Sequence, residues 1–81
     1  MTSIHSSQQL GEALRTARKQ LSLTQPQLAM AAGVGLRFVV ELEAGKPTVR
    51  LAQVLRVIEA LGGEFTLSGL PSATSTLESK T

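Results

Sequence analysis

The sequence predicts a small all-α domain followed by one short β-strand, and three observations support this fold class. Apolar residues recur at intervals of three and four between residues 7 and 61, as they do on the buried faces of α-helices. Glycine, proline and threonine residues divide this stretch into four segments of helical length. After Gly62 and Gly63, polar and apolar residues alternate, which is the period of a half-buried strand.

The first helix is predicted over residues 7–21, with Ser6 or Ser7 as its N-cap. Leucine and alanine residues at steps of four, three and four place its apolar face on one side of the helix. These residues are Leu10, Leu14, Ala17 and Leu21.

The second helix is predicted over residues 25–32. Thr24 is the expected N-cap, and Gln27 follows it three residues later, which is the spacing of a capping box. Pro26 lies in the first turn, where its missing N–H leaves no hydrogen bond unmade. Gly33 ends the helix because glycine adopts the left-handed conformation without strain.

The third helix is predicted over residues 35–44, before Gly45, and the fourth over residues 49–61, with Thr48 as its N-cap. The fourth has the most regular apolar stripe of the chain, with Val57 at its edge. The stripe consists of Leu51, Val54, Leu55, Ile58 and Leu61.

A strand is predicted over residues 63–68, with Phe65 and Leu67 on one face. Because no other segment predicts a strand, its backbone groups need a partner, and a second copy of the same segment provides one. We therefore expect an antiparallel ribbon that holds a homodimer through Phe65, Thr66 and Leu67, packed on helix four near Val57. The alternative is a segment that folds back on its own monomer.

These elements divide the chain into an N-terminal arm (1–6), a helical domain (7–62), the strand (63–68) and a Ser/Thr-rich flexible tail (69–81). At 81 residues the chain is one domain. A chain of this size buries only about 60% of its unfolded surface, which also favours a dimer. It has no Cys and no apolar run near ~20 residues, so we expect a cytoplasmic protein without disulfides or membrane spans.

The charge is unevenly distributed and the chain lacks catalytic constellations. Residues 1–56 carry seven Lys and Arg against three Glu, whereas residues 57–81 carry one Lys against three Glu. This suits a polyanionic partner, although ordinary solubility charge is an open alternative. His5 is the single histidine, the carboxylates are scattered glutamates, and there is no Gly-rich phosphate loop. The sequence therefore predicts no enzyme, no cofactor and no metal site.

Residues 25–44 carry the spacing of a helix-turn-helix. Small and apolar residues stand at its fifth, ninth, fifteenth and eighteenth places, namely Ala29, Gly33, Val39 and Leu42. A larger residue at Ala29 would separate the two helices, and a Cβ at Gly33 would strain the turn. The pattern predicts a DNA-binding unit; a helical hairpin that touches no DNA is the alternative.

The segments LSLTQPQLAMAAGV and LEAGKPT resemble the Xre/Cro phage-repressor family, with its lambda-repressor-like fold of four to five helices, over residues 8–62. The stretch GLRFVVELEAGKPTVRLAQVLRVIEALGG further resembles HipB-like antitoxins. The resemblance implies a homodimer that binds palindromic operator DNA, represses its own operon and binds a HipA-like kinase toxin. A stand-alone or prophage regulator, and a protein-interaction module on the same fold, are the alternatives.

The resemblance also implies which residues contact DNA. They are Gln25, Gly35, Leu36, Arg37, Glu41, Lys46 and Thr48. Gly35 departs from the family pattern, since Ser or Thr usually caps the recognition helix there. Phe38 and Val40 make that helix unusually apolar, so Arg37 is the one strong candidate to read a base and Leu36 could meet a thymine methyl group.

The same resemblance implies an ion pair between Arg18 of the first helix and Glu43 of the third. Repressors of this family pair an arginine and a glutamate at these positions. The alternative is two hydrated surface charges, which contribute only about 0–1 kcal/mol to stability even in contact.

Overall fold

The computed structural model describes residues 3–71, and this part of the chain forms four α-helices and no strand. The helices are α1 (Ser7–Gln20), α2 (Gln25–Ala32), α3 (Leu36–Glu43) and α4 (Leu51–Ala60). The predicted all-α class and all four helices are therefore confirmed; the ends of the second helix agree, and the other ends differ by at most two residues. The first two residues of the predicted arm and residues 72–81 of the predicted tail lie outside the described residues.

Local sequence accounts for the ends of α1 and α2. The Ser6 hydroxyl accepts a hydrogen bond from the backbone N–H of Gln9 at 3.0 Å. The capping box is complete, because the Gln27 N–H donates to Thr24 Oγ1 at 3.2 Å while the Thr24 N–H donates to Gln27 Oε1 at 2.9 Å. Gly33 closes α2 with φ +71°, the left-handed conformation that glycine tolerates best.

The predicted N-cap of α4 is wrong. Helix α4 begins after Arg50, whose backbone is extended and whose side chain makes no capping hydrogen bond. The half-buried Val49 packs against the core, which carries the chain past Thr48 before helical geometry starts. The Arg50 carbonyl then accepts the first helical bond, from the Val54 N–H at 3.0 Å.

The core is aliphatic and lies where α2 packs against both α3 and α4, with α1 packed on α3. Its fully buried side chains are Leu28, Val39, Leu42 and Val57. Val57, expected at the edge of the α4 stripe, is therefore central, whereas Leu51 is 62% exposed. The face of α4 that meets α2 runs through Val54, Val57 and Ile58, which turns Leu51 towards solvent.

Helices α1 and α3 approach each other at a glycine. A Cβ added to Gly11 would lie 2.5 Å from the Leu42 carbonyl oxygen and 2.8 Å from the Glu43 carbonyl oxygen. Both of these atoms belong to backbone, which cannot turn aside as a flexible side chain can. The separation of α1 and α3 at this crossing is thus set by direct backbone contact.

Beyond α4, residues 64–68 form neither helix nor strand in the single chain. Phe65 is half exposed and lies with Leu55 and Ile58 of α4 along a shallow cavity of about 180 Å³. Pairing of this segment with a second chain remains a prediction. Among residues 3–71, no helix has the length and apolar character needed to cross a lipid bilayer.

Candidate nucleic-acid interface

The turn between α2 and α3 fixes how α3 stands out from the core. The Gly33 N–H donates to the Met30 carbonyl at 3.3 Å, and the Val34 N–H donates to the Ala29 carbonyl at 3.0 Å. Ala29 itself is buried, and no larger side chain separates the two helices there. These contacts bury one side of α3 and leave its other side free to meet a partner.

Helix α3 has two distinct faces. Val39, Leu42 and Glu43 are buried. Leu36 and Val40 are exposed and stand one helical turn apart, so they form a short apolar ridge on the outer face. Phe38 is half-buried against the core, which separates it from that ridge.

A cluster of three charged side chains lies at this outer surface. Glu41 Oε2 is 3.3 Å from Arg37 Nε and 3.3 Å from Lys46 Nζ. The pKa of Glu41 lies below its ordinary value, mainly because the Lys46 ammonium stabilises the charged carboxylate. Burial opposes this lowering of the pKa, and Arg37 adds to it. The structure therefore joins three of the residues predicted to contact DNA.

The predicted pair of Arg18 and Glu43 forms a buried, bidentate ion pair. Arg18 Nε donates to Glu43 Oε2 at 2.7 Å, and Arg18 Nη2 donates to Glu43 Oε1 at 3.0 Å. The remaining Nη1 donates to the Leu23 carbonyl at 2.7 Å. These hydrogen bonds with Glu43 raise the pKa of Arg18, against the opposing effect of burial. The guanidinium thus connects α1 to the end of α3 and to the loop before α2.

Gln25 joins this pair, a contact that no sequence pattern indicated. Its Nε2 donates to Glu43 Oε1 at 3.1 Å, so the side chain predicted to meet DNA is bound at one end to Glu43. Gln25 is also the first residue of α2. The contact fixes its amide at the N-terminus of α2, where the positive end of the helix dipole favours anions.

The last two predicted contact residues, Gly35 and Thr48, belong neither to these charged groups nor to the apolar ridge. Gly35 is the N-cap of α3 and makes no side-chain capping bond, as its missing side chain requires. Thr48 is exposed in the loop between α3 and α4.

The comparisons with known proteins agree with this architecture. The family described as "Helix-turn-helix domain" matches residues 9–64, well over half of the chain. The chain belongs to the helix-turn-helix domain family. A curated relative from Sinorhizobium fredii, "Uncharacterized HTH-type transcriptional regulator y4mF", is 53% identical over 53 residues, which cover 65% of this chain and 70% of the relative.

Solved structures identify the kind of helix-turn-helix protein. A chain of the "HipB-O4 20mer complex" has a TM-score of 0.79 and 25% identity, covering 85% of this chain and 97% of its own length. A chain of the "Structure of HipA-HipB-O2-O3 complex" gives the same values. The "MDT Protein" has a TM-score of 0.77 at 26% identity, with the same two coverages. The resemblance is thus confirmed: the chain is an Xre-type, HipB-like member of the class of helix-turn-helix transcriptional regulators.

Proposed function

We propose that this chain is a sequence-specific, double-stranded-DNA-binding autorepressor that acts as the antitoxin of a type II toxin–antitoxin module with a HipA-like kinase toxin. One observation carries the DNA-binding part. The outer face of α3 presents Leu36, Arg37 and Val40 to solvent, and the cation Lys46 follows directly behind it. A helix with such a face fits the major groove of a duplex.

The proposed mechanism is non-catalytic and uses no cofactor. Two chains form a cytoplasmic homodimer whose α3 helices enter successive major grooves about 34 Å apart. Arg37 donates to a guanine and Leu36 meets a thymine methyl group. Lys46 approaches a phosphate. Gly35, at the start of α3, and Thr48, in the loop that follows α3, lie where the protein backbone comes close to the duplex.

Gln25 has a second role in this proposal. One of the two Nε2 hydrogens of Gln25 is donated to Glu43, so the second hydrogen and the positive end of the α2 dipole remain for a phosphate of DNA. Because Glu43 is also held by Arg18, the N-terminus of α2 and the end of α3 keep a fixed relation. That relation sets the distance between a phosphate contact at α2 and base contacts at α3.

The toxin and the dimer rest on other observations. The likeness to HipB in a complex with HipA supports a HipA-like kinase as the partner. The half-exposed Phe65, which lies beside α4, and the exposed Leu67 support a dimer held by residues 63–68. The alternative, a stand-alone or prophage regulator, would bind DNA in the same way and would have no toxin partner.

A protein-interaction module is a second candidate, and the exposed apolar ridge of Leu36 and Val40 favours it. A module that has lost DNA binding would bind a protein through this ridge. It would lack the strong salt dependence that phosphate contacts impose on binding to a duplex.

Binding of purified chain to DNA tests the proposal. The probes are the duplex that the chain selects from a random-sequence library and a scrambled duplex of the same composition. We expect Arg37→Ala to weaken binding to the selected duplex by roughly 1–3 kcal/mol per lost bidentate contact and to relax the preference at one base pair per half-site. Lys46→Ala should weaken both duplexes alike and reduce the salt slope by about one per site.

Two further measurements address the finer claims. A reporter driven by the sequence upstream of this coding region should be repressed by the chain, and a kinase encoded beside it should co-purify with it. A wild-type chain that binds no duplex at low salt would contradict the DNA-binding proposal. If the chain represses the reporter and no kinase co-purifies with it, the stand-alone regulator is the function that remains.

A further inference from the structure

Glu41 occupies a position between the two cations that the proposed function assigns to DNA. Its Oε2 lies 3.3 Å from both Arg37 Nε and Lys46 Nζ. The Arg37 side chain is 90% exposed and that of Lys46 44% exposed, whereas that of Glu41 is only 30% exposed. The carboxylate is thus the most enclosed of the three groups.

This arrangement makes the carboxylate a competitor of DNA phosphate. A duplex attracts Arg37 and Lys46 through its phosphates, whatever its sequence, and the affinity depends on how many phosphates they neutralise. In the free chain, one carboxylate already partly neutralises both cations. Each cation already contacts Glu41, so a phosphate competes with the carboxylate for Arg37 Nε and Lys46 Nζ, and Glu41 itself repels the phosphates.

This competition lowers the affinity for some duplexes more than for others. A guanine at the right register offers Arg37 two acceptors, O6 and N7, in the plane of its guanidinium. That bidentate contact is stronger than the single exposed ion pair to Glu41. A random sequence offers Arg37 only phosphates at that position. The attraction of Arg37 to a phosphate offsets the repulsion between the Glu41 carboxylate and the duplex less than the contact to guanine does.

We infer that Glu41 is a specificity-determining residue that suppresses binding to arbitrary duplex DNA by holding Arg37 and Lys46 in ion pairs. The inference rests on the proposed DNA-binding function. It gives Glu41 a role distinct from a base contact of its own. A DNA sequence releases Arg37 and Lys46 from Glu41 only when it offers them contacts stronger than these ion pairs.

The test is Glu41→Gln, which keeps the size of the side chain and removes its charge. The matched control is Glu12→Gln, which makes the same charge change on the exposed side of α1, where Glu12 has no ion pair within residues 3–71. Both variants and the wild type are titrated with the selected and the scrambled duplex over a range of salt, by fluorescence anisotropy. Far-UV circular dichroism verifies that each variant is folded.

We expect Glu41→Gln to tighten binding to the scrambled duplex by roughly fivefold per chain, the effect of releasing exposed ion pairs. Its salt slope on that duplex should steepen by about one. Binding to the selected duplex should tighten by less, so the ratio of the two affinities falls. Glu12→Gln should leave that ratio unchanged. In a Lys46→Ala background, Glu41→Gln should have a smaller effect on the scrambled duplex.

Three results would overturn the inference. If Glu41→Gln and Glu12→Gln change both duplexes alike, the effect is general charge. If Glu41→Gln weakens the selected duplex and leaves the scrambled one unchanged, Glu41 contacts a base directly, for example as an acceptor from cytosine N4. A wild-type chain that binds neither duplex removes the proposed function as well, whereas the first two results leave that function intact.

Discussion

Gly11 of α1 lies against the carbonyl oxygen of Leu42 in α3, so closely that an added methyl group would sit 2.5 Å from that oxygen. Carbon and oxygen atoms that are not bonded do not approach to this distance. The two helices would therefore have to separate to admit any side chain at position 11. Leu42 is itself fully buried, so this separation would also disturb the core.

We expect Gly11→Ala to destabilise the domain by about 1–3 kcal/mol, the usual cost of overpacking. Alanine favours helix over glycine by up to about 1 kcal/mol, so the steric effect must exceed a gain in helix propensity. Thermal unfolding followed by circular dichroism measures the change. The control, Glu12→Ala, lies one residue away on an exposed position and should unfold near the wild-type temperature. A Gly11→Ala variant as stable as the wild type would contradict the close approach.

The buried pair of Arg18 and Glu43 predicts strong coupling in a double-mutant cycle. Removing one partner leaves the other charge buried without its counterion, so Arg18→Met or Glu43→Gln alone should cost roughly 3–5 kcal/mol. The double variant should lose much less than the sum of the two, with a coupling energy above the ~1 kcal/mol of surface pairs. Chemical denaturation gives all four free energies of unfolding. Additive losses would mean that the pair contributes no more than two separate surface charges.

Glu41 should titrate below the ordinary range of a glutamate, because Lys46 and Arg37 stabilise its charged form. We expect Lys46→Ala to raise the pKa of Glu41 more than Arg37→Ala does, since Lys46 is the larger cause of the shift. Carboxyl NMR during a pH titration measures both. Because the folded-state pKa is lowered, this contribution to stability is present above the pKa of the unfolded chain and is lost as the pH falls through the folded-state pKa. An unchanged Glu41 titration in Lys46→Ala would contradict the ion pair.

The C-terminal segment predicts how the dimer is held. Truncation after Gly62 removes Phe65 and Leu67, whose apolar side chains are half or more exposed in the single chain. If residues 63–68 form an intermolecular ribbon, the truncated chain should dissociate at micromolar concentrations at which the full chain is dimeric. Analytical ultracentrifugation compares the two. As a matched control, truncation after Ser68 removes only the predicted tail and should keep the dimer. A truncated chain that stays equally dimeric would show that another surface holds the two copies together.

Short-range features of this fold could be predicted from the sequence. The capping box of Thr24 and Gln27, the left-handed Gly33 and the four helices each depend on residues within one or two turns of one another. The placement of Arg18 beside Glu43 is different, because it came from a family resemblance. Nothing in the local sequence requires two residues 25 positions apart to meet.

The features that sequence reasoning missed all depend on contacts between elements. Val57 and Leu51 are both apolar and both on α4, and only the position of α2 decides that Val57 is buried and Leu51 exposed. The start of α4 at Leu51 follows from the anchoring of Val49 in the core. The close contact at Gly11 and the bond from Gln25 to Glu43 depend in the same way on how the helices pack.

The ionic link at Arg18 has a consequence for the order of events in folding. Its partners, the Leu23 carbonyl and Glu43, lie on different segments, so the complete link requires α1, the following loop and α3 to be docked together. Before docking, hydrated charges gain little by meeting, and they lose their water only when the surrounding apolar surfaces close. We therefore expect the link to form in the last steps before the native state rather than in the folding nucleus. Interactions formed that late act mainly on the unfolding rate, so we expect Arg18 and Glu43 to lengthen the lifetime of the folded chain.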